Sequence, residues 1–188
     1  QREKFTGLAP ELASFQPVQN NISFNHAGAT RGLHAEPWDK LVSVAQGKIF
    51  GAWCDLRDGS ESFGEVVTHE VGPETAVFVP RGVANGFQAL EETSYCYLVN
   101  EHWSAEARYA AVNLNIVDWP LEPTEISEKD KQHPALAEVS PMPARRILVT
   151  GANGQLGRAL KRLLADAELC THADFDITDP PERNWKQY

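Results

Sequence analysis

Over roughly the first 120 residues, apolar stretches of strand length alternate with turn-forming clusters, about one turn every 8–12 residues, and none holds a helical period. Phe15 to Phe24, Ala29 to His34, Lys40 to Ala45, Ile49 to Leu56, Glu65 to Val71, Thr75 to Val79, Ala84 to Leu90 and Thr93 to Val99 read as strands. Between them lie Asn25–Gly28, Glu36–Asp39, Gln46-Gly47, Arg57–Ser60, Gly72–Glu74, Pro80–Gly82 and Glu91-Glu92, whose residues favour turns. So many short strands bury their apolar faces only by stacking two sheets or closing a barrel. The expected fold is therefore mainly β, a jelly-roll sandwich. Five Trp and eight Phe suffice to fill its interior.

Pro120-Leu-Glu-Pro123 interrupts the pattern, and residues 124–140 are polar and acidic. The expected organisation is a jelly roll over 1–139, a linker over 140–145 and a second segment over 146–188. In that segment Arg145–Thr150 reads as a buried strand, Gly151–Gly157 as a glycine-rich loop, and Arg158 to Glu168 as a helix with Leu160, Leu163 and Leu164 on one face. One β-α unit is too short for a whole dinucleotide-binding domain, so it reads as the start of one.

The net charge is −9, and residues 1–144 hold ten Lys/Arg against twenty Asp/Glu. An acidic surface disfavours nucleic acid or an anionic membrane as partner but leaves room for an anionic small molecule in a local basic pocket. Cys54, Cys96 and Cys170 form no CxxC pair, and no apolar run could span a bilayer. No signal peptide is visible, and the expected location is cytoplasmic.

Within the second strand stand a fixed cation, Arg31, and a residue that titrates near neutrality, His34, with Gly32 between them. Such a pair is ordinarily an exposed charge and a hydrogen-bonded histidine. Partners elsewhere in the chain decide whether it does chemistry.

Residues 19–119 resemble dTDP-4-dehydrorhamnose 3,5-epimerase, a jelly-roll family of the cupin type, which implies a cupin-like sandwich. The resemblance rests on Gln19–Ser23, Arg31–His34, Lys40-Leu-Val, Asp55–Arg57, Ser62–Gly64, Pro80–Phe87, Asp118–Pro120 and Ser127–Asp130, in order and at matching spacing. It implies inversion of the carbons flanking a C4 ketone on a deoxysugar nucleotide. That chemistry needs a base, a stabilised enolate and an acid on the opposite face. By resemblance His34 is the base, Asp130 its carboxylate partner and Lys40 the enolate-stabilising cation. Arg31 would contact phosphate, and Gln19, Asn21 and Asn85 would bind substrate. A homodimer made by strand exchange, a dTDP-sugar substrate and no cofactor for the epimerase are implied too.

Two positions depart from the family pattern. Asn85 stands where the family usually has histidine. His102-Trp103 stands where the resemblance places the tyrosine that donates a proton opposite the base. Indole is a hydrogen-bond donor but a poor acid. His102 could take the role, Tyr95 or Tyr97 could substitute, or a single carbon could be inverted; Trp103 could also stack on the base of the nucleotide. An epimerase-like domain with mono-epimerase or no activity, which binds nucleotide-sugar and supports a fused reductase, is the alternative. A cupin metal centre is not expected, because the six histidines are scattered without an HxH pair.

Residues 146–178 resemble the opening of dTDP-4-dehydrorhamnose reductase, in Ile147-Leu-Val-Thr-Gly-Ala-Asn-Gly-Gln-Leu-Gly157 and Asp176–Asp179. Between a strand and a helix, Gly151, Asn153, Gly154, Gln155, Leu156 and Gly157 would face a dinucleotide pyrophosphate, and Asp176 would lie near the adenosine. The resemblance implies NADPH or NADH as cofactor of the full-length reductase, and a bifunctional chain.

Overall fold

The computed structural model describes residues 11–144, 147–164, 167–174 and 178. The chain divides after Pro143 into two compact units. In the first, a short helix α1 (Glu11–Ser14) precedes strands β1 (Gln19–Asn25), β2 (Thr30–Ala35), β3 (Lys40–Gln46), β4 (Ile49–Asp55), β5 (Val66–Val71), β6 (Ala76–Val79), β7 (Val83–Ala89), β8 (Thr93–Val99) and β9 (Ala110–Ala111). Among the described residues these form a four-stranded sheet ordered β1-β8-β3-β6 and a five-stranded sheet ordered β5-β4-β7-β2-β9. The expected mainly-β sandwich is the fold observed.

Alternation along the strands builds two cores. Val42, Val44, Val79 and Tyr95 of the smaller sheet meet Ile49, Val71 and Phe87 of the larger, with Phe87 and Tyr95 stacked at 4.2 Å. Each fully buried side chain of this size contributes roughly 1.5–3 kcal/mol. On the opposite face of the larger sheet, Leu33, Ala35, Ala52, Cys54 and Ala84 are covered by Val112, Leu114, Val117 and Met142. The Gln88 side chain, fully buried, ties this cover down: it donates to the Leu121 carbonyl at 2.9 Å and accepts the Leu121 N–H at 2.8 Å. The polar stretch after Pro123 is thus the outer layer of the sandwich, and within it lies helix α2 (Glu128–Lys131).

In the second unit, β10 (Leu148–Thr150) and β11 (Glu168–Cys170) pair in parallel, joined through α3 (Gln155–Leu163). The helix starts three residues before the expected Arg158 and ends five before Glu168. Gly154 is its N-cap and Leu164 its C-cap, so Glu168 enters a strand instead. Gly157 packs so close to the loop that a Cβ would lie 2.6 Å from Ala152 Cα. Gly151 has φ +67°, a conformation open to glycine. Asp176 lies outside the described residues. No described helix is long and apolar enough to cross a membrane.

Candidate active site

The site begins at a break in β2. The β2–β7 register shifts between Arg31 and His34, and Gly32 lies in the gap with φ +117°. A Cβ on Gly32 would stand 2.5 Å from Gly86 Cα and 2.9 Å from the Asn85 carbonyl, and one on Gly86 would stand 2.7 Å from the Arg31 carbonyl. Two glycines therefore let the strands cross closely, and the resulting bulge sets His34 directly opposite Asn85.

Asp130 reaches this bulge from α2. Ser127 caps the helix by accepting the Asp130 N–H, and the carboxylate is 3% exposed. One oxygen accepts from His34 Nε2 at 2.8 Å and the other from the Gly32 N–H at 3.2 Å. Burial pushes this carboxyl up, but bonds from His34, Gly32 and Ser127 outweigh it and hold it below the ordinary range. An ionised carboxylate only accepts, so Nε2 carries the proton and Nδ1 of His34 is left as the basic nitrogen.

Lys40 opens β3 on the facing sheet and is 6% exposed. Its ammonium donates to Glu36 at 2.5 Å and to Asn85 Oδ1 at 2.9 Å, and stands 4.9 Å from the Tyr97 ring centroid. Burial pushes Lys40 down, and Glu36 offsets part of that. Asn85 links the two sheets: it pairs with His34, accepts from Lys40 and donates to Tyr95 Oη at 3.4 Å. Gln19, Val99 and Lys40 form one cross-strand row, and Asn21, Tyr97 and Val42 the row two residues on, so all face the same side of the sheet. Gln19 donates to Asn21 Oδ1 at 2.9 Å, while the buried Asn21 Nδ2 makes no hydrogen bond.

The structure thus brings together His34, Asp130, Asn85 and Lys40, and puts Gln19 and Asn21 on the Lys40 face. Arg31 lies 3.5 Å from Glu125, in an open cleft with Thr124, Ser127 and Lys131. Trp103 is 66% exposed, its backbone N–H 3.5 Å from Gln19 Oε1, and His102 is exposed as well. No described contact joins either to His34 or Lys40. Tyr97 is half-buried beneath Lys40, and burial with the Glu36 charge pushes its phenol up. Glu36 and His133 are additional: the sequence pattern offers only the acidic residue four positions before Lys40, and a histidine three after Asp130.

His133 bears on metal binding. One of its ring nitrogens, one of His34 and a carboxylate oxygen of Asp130 lie within 4.8 Å of one another, a donor set a divalent ion could use. The scattered spacing of the histidines hid this convergence. Burial and then His34 push the His133 imidazole down, and its ring packs edge-on against His34 at 5.0 Å.

A histidine bonded to a buried carboxylate on one sheet, linked through Asn85 to a buried lysine on the other, is a set of groups suited to moving protons. The dTDP-4-dehydrorhamnose 3,5-epimerase family model matches residues 1–138. A Streptococcus pyogenes protein named RmlC homolog is 52% identical over 134 residues, spanning 66% of this chain and 68% of that one. The dTDP-4-dehydrorhamnose 3,5-epimerase of Pseudomonas aeruginosa is 35% identical over 155 residues, spanning 75% and 85%. The structure of RmlC from Streptococcus suis in complex with dTDP-D-xylose superposes with TM-score 0.69 at 44% identity, over 76% of this chain and 79% of that one. The chain belongs to the dTDP-4-dehydrorhamnose 3,5-epimerase family, and it is an isomerase.

Proposed function

We propose that residues 1–139 epimerise dTDP-4-dehydro-6-deoxy-glucose at C3 and C5, giving dTDP-4-dehydro-L-rhamnose for dTDP-L-rhamnose synthesis. The observation that carries the reading is the 2.8 Å His34–Asp130 bond set across the sandwich from Lys40. His34 Nδ1 takes the proton alpha to the C4 ketone, and the imidazolium is stabilised by Asp130. The enolate oxygen gathers charge, and Lys40 offers a fixed cation in a site shielded from water. Tyr97 returns a proton from the opposite face: it lies beneath Lys40, and its raised value keeps it protonated. Trp103, exposed at the rim beside Gln19, suits contact with the nucleotide base. Arg31, Gln19, Asn21 and Asn85 bind the diphosphate and sugar, and Arg31 exchanges Glu125 for phosphate.

Deuterium incorporation from D₂O tests this. Exchange at C3 and C5 is expected, and His34→Asn or Asp130→Asn should slow it about 10²–10⁴-fold. Exchange that survives His34→Asn refutes the base assignment, and exchange at one carbon makes the enzyme a mono-epimerase. The Asn85 and Trp103 departures favour that second reading.

Residues 146–188 we infer to begin an NAD(P)-binding reductase domain for the next step, making the parent protein bifunctional. The parallel β10–α3–β11 unit, Gly151 and the close packing of Gly157 fit a pyrophosphate approached by backbone, with Asn153, Gly154, Gln155 and Leu156 at the helix start. NADPH or NADH bound there would supply hydride. A protein extended past Tyr188 should quench or shift the cofactor's fluorescence, and Gly157→Val should abolish that signal. A homodimer built through β1 is supported by Ile22 and Phe24, 68% and 58% exposed on its outer face. Light scattering of wild type and Ile22→Glu tests it.

A further inference from the structure

We propose that Glu36 is a positioning residue that keeps Lys40 charged inside the sandwich and thereby sets the alkaline edge of the activity. The inference rests on the reading of Lys40 as the enolate's partner. The Lys40 side chain is 7% exposed and that of Glu36 16%. An ammonium this far from water is stable only with an anion beside it; with neutral partners alone it would release its proton. The groups facing Lys40 can be named. Asn85 on β7 supplies a neutral carbonyl oxygen, and Tyr97 on β8 supplies a ring face. Tyr95, behind Asn85, is a fully buried phenol held neutral by burial, and His34 lies beyond Asn85 on β2. Among the described residues Glu36 is the acidic side chain in ion-pair contact with Lys40.

Proton counting shows why this arrangement suits the chemistry. An ammonium has three N–H donors. Glu36 and Asn85 take two of them and fix the nitrogen in place. One is left for a substrate oxygen. Glu36 therefore orients the donor as well as holding its charge, and Asn85, which cannot titrate, steadies it without competing for the proton.

The working range follows. Proton abstraction needs His34 unprotonated, and enolate stabilisation needs Lys40 protonated. The alkaline edge belongs to Lys40, which burial draws toward neutrality and Glu36 draws back.

The test reads Lys40 directly and the reaction separately. The Cε shift of Lys40 is followed by NMR in protein carrying ¹³C-lysine from about pH 6 to 11, assigned with Lys40→Met. Wild type, Glu36→Gln and Glu36→Asp are compared, with melting temperatures showing that each is folded. The Lys40 midpoint should fall by about one pH unit or more in Glu36→Gln and by less in Glu36→Asp, which keeps the charge on a shorter arm. The alkaline limb of deuterium exchange should move by the same amount. An unchanged midpoint in Glu36→Gln overturns the role of Glu36. A midpoint that moves while the exchange profile stays fixed overturns the assignment of the alkaline edge. If Lys40→Met exchanges at full rate, the reading of Lys40 itself fails, whatever the NMR midpoints show of Glu36.

Discussion

His34 and Asp130 are 96 positions apart in the chain and 2.8 Å apart in space. The same carboxylate holds Gly32, so it clamps both the start and the end of the bulge that aims the histidine. One side chain from the outer layer thus bonds both the His34 ring and the backbone of the bulge that carries it.

Tyr97 and Trp103 are separable by where reaction stops. Tyr97→Phe leaves the base and Lys40 in place, so substrate C–H should still exchange with solvent while inverted product falls about 10²-fold. Trp103→Phe should raise KM several-fold with kcat little changed, as expected for a contact that binds ground and transition states alike. NMR of exchanged and inverted sugar distinguishes the two, and the reverse pattern would assign the acid to the loop after β8.

A second carboxylate is a structural knot. Asp55 accepts from Arg57 Nε and Nη2 at 2.9 and 2.7 Å and from the Ser60 and Ser62 hydroxyls at 2.6 Å each. The Arg57 guanidinium, against the pull of burial and helped by both serines, holds this carboxyl far below its ordinary value. Its contribution is therefore complete above about pH 4, where the unfolded carboxyl ionises, and fades as pH falls further. Asp55→Asn should cost about 1–3 kcal/mol at neutral pH and flatten the loss of stability in acid. Urea midpoints at several pH values check both; equal acid sensitivity in variant and wild type would remove Asp55 from the account.

Gly32→Ala should be severe. The positive φ costs about 1–2 kcal/mol, and a methyl 2.5 Å from Gly86 Cα must push the strands apart. A melting point lower by roughly 5–10 °C is expected. Exchange activity should fall further than the folded fraction does, because His34 turns with the bulge. Activity that simply tracks folded protein would mean the bulge does not aim the base.

The strands were legible because their apolar residues alternate and their turns carry Gly, Pro and Asn at short intervals. His34, Lys40 and Asp130 were reachable through motif resemblance. Periodicity alone left Asp130 in a polar stretch, where nothing in the local sequence says that the segment folds back over a sheet. Glu36 and His133 were hidden for a related reason. Their roles arise from burial beside Lys40 and Asp130, and burial of a charged residue is a tertiary fact. The helix after the glycine loop was displaced because leucine spacing does not mark where a helix starts; Gly154 is its N-cap, and Gly157 rather than a leucine is its buried residue.

The cover over the larger sheet has a bearing on synthesis. Every strand of the sandwich precedes Val112, whereas the carboxylate that bonds His34 follows it. A nascent chain that has emerged only as far as β9 holds all the strands of the sandwich but lacks the carboxylate partner of His34. The His34–Asp130 pair is therefore completed late, when α2 docks, and its formation reports that the outer layer has closed.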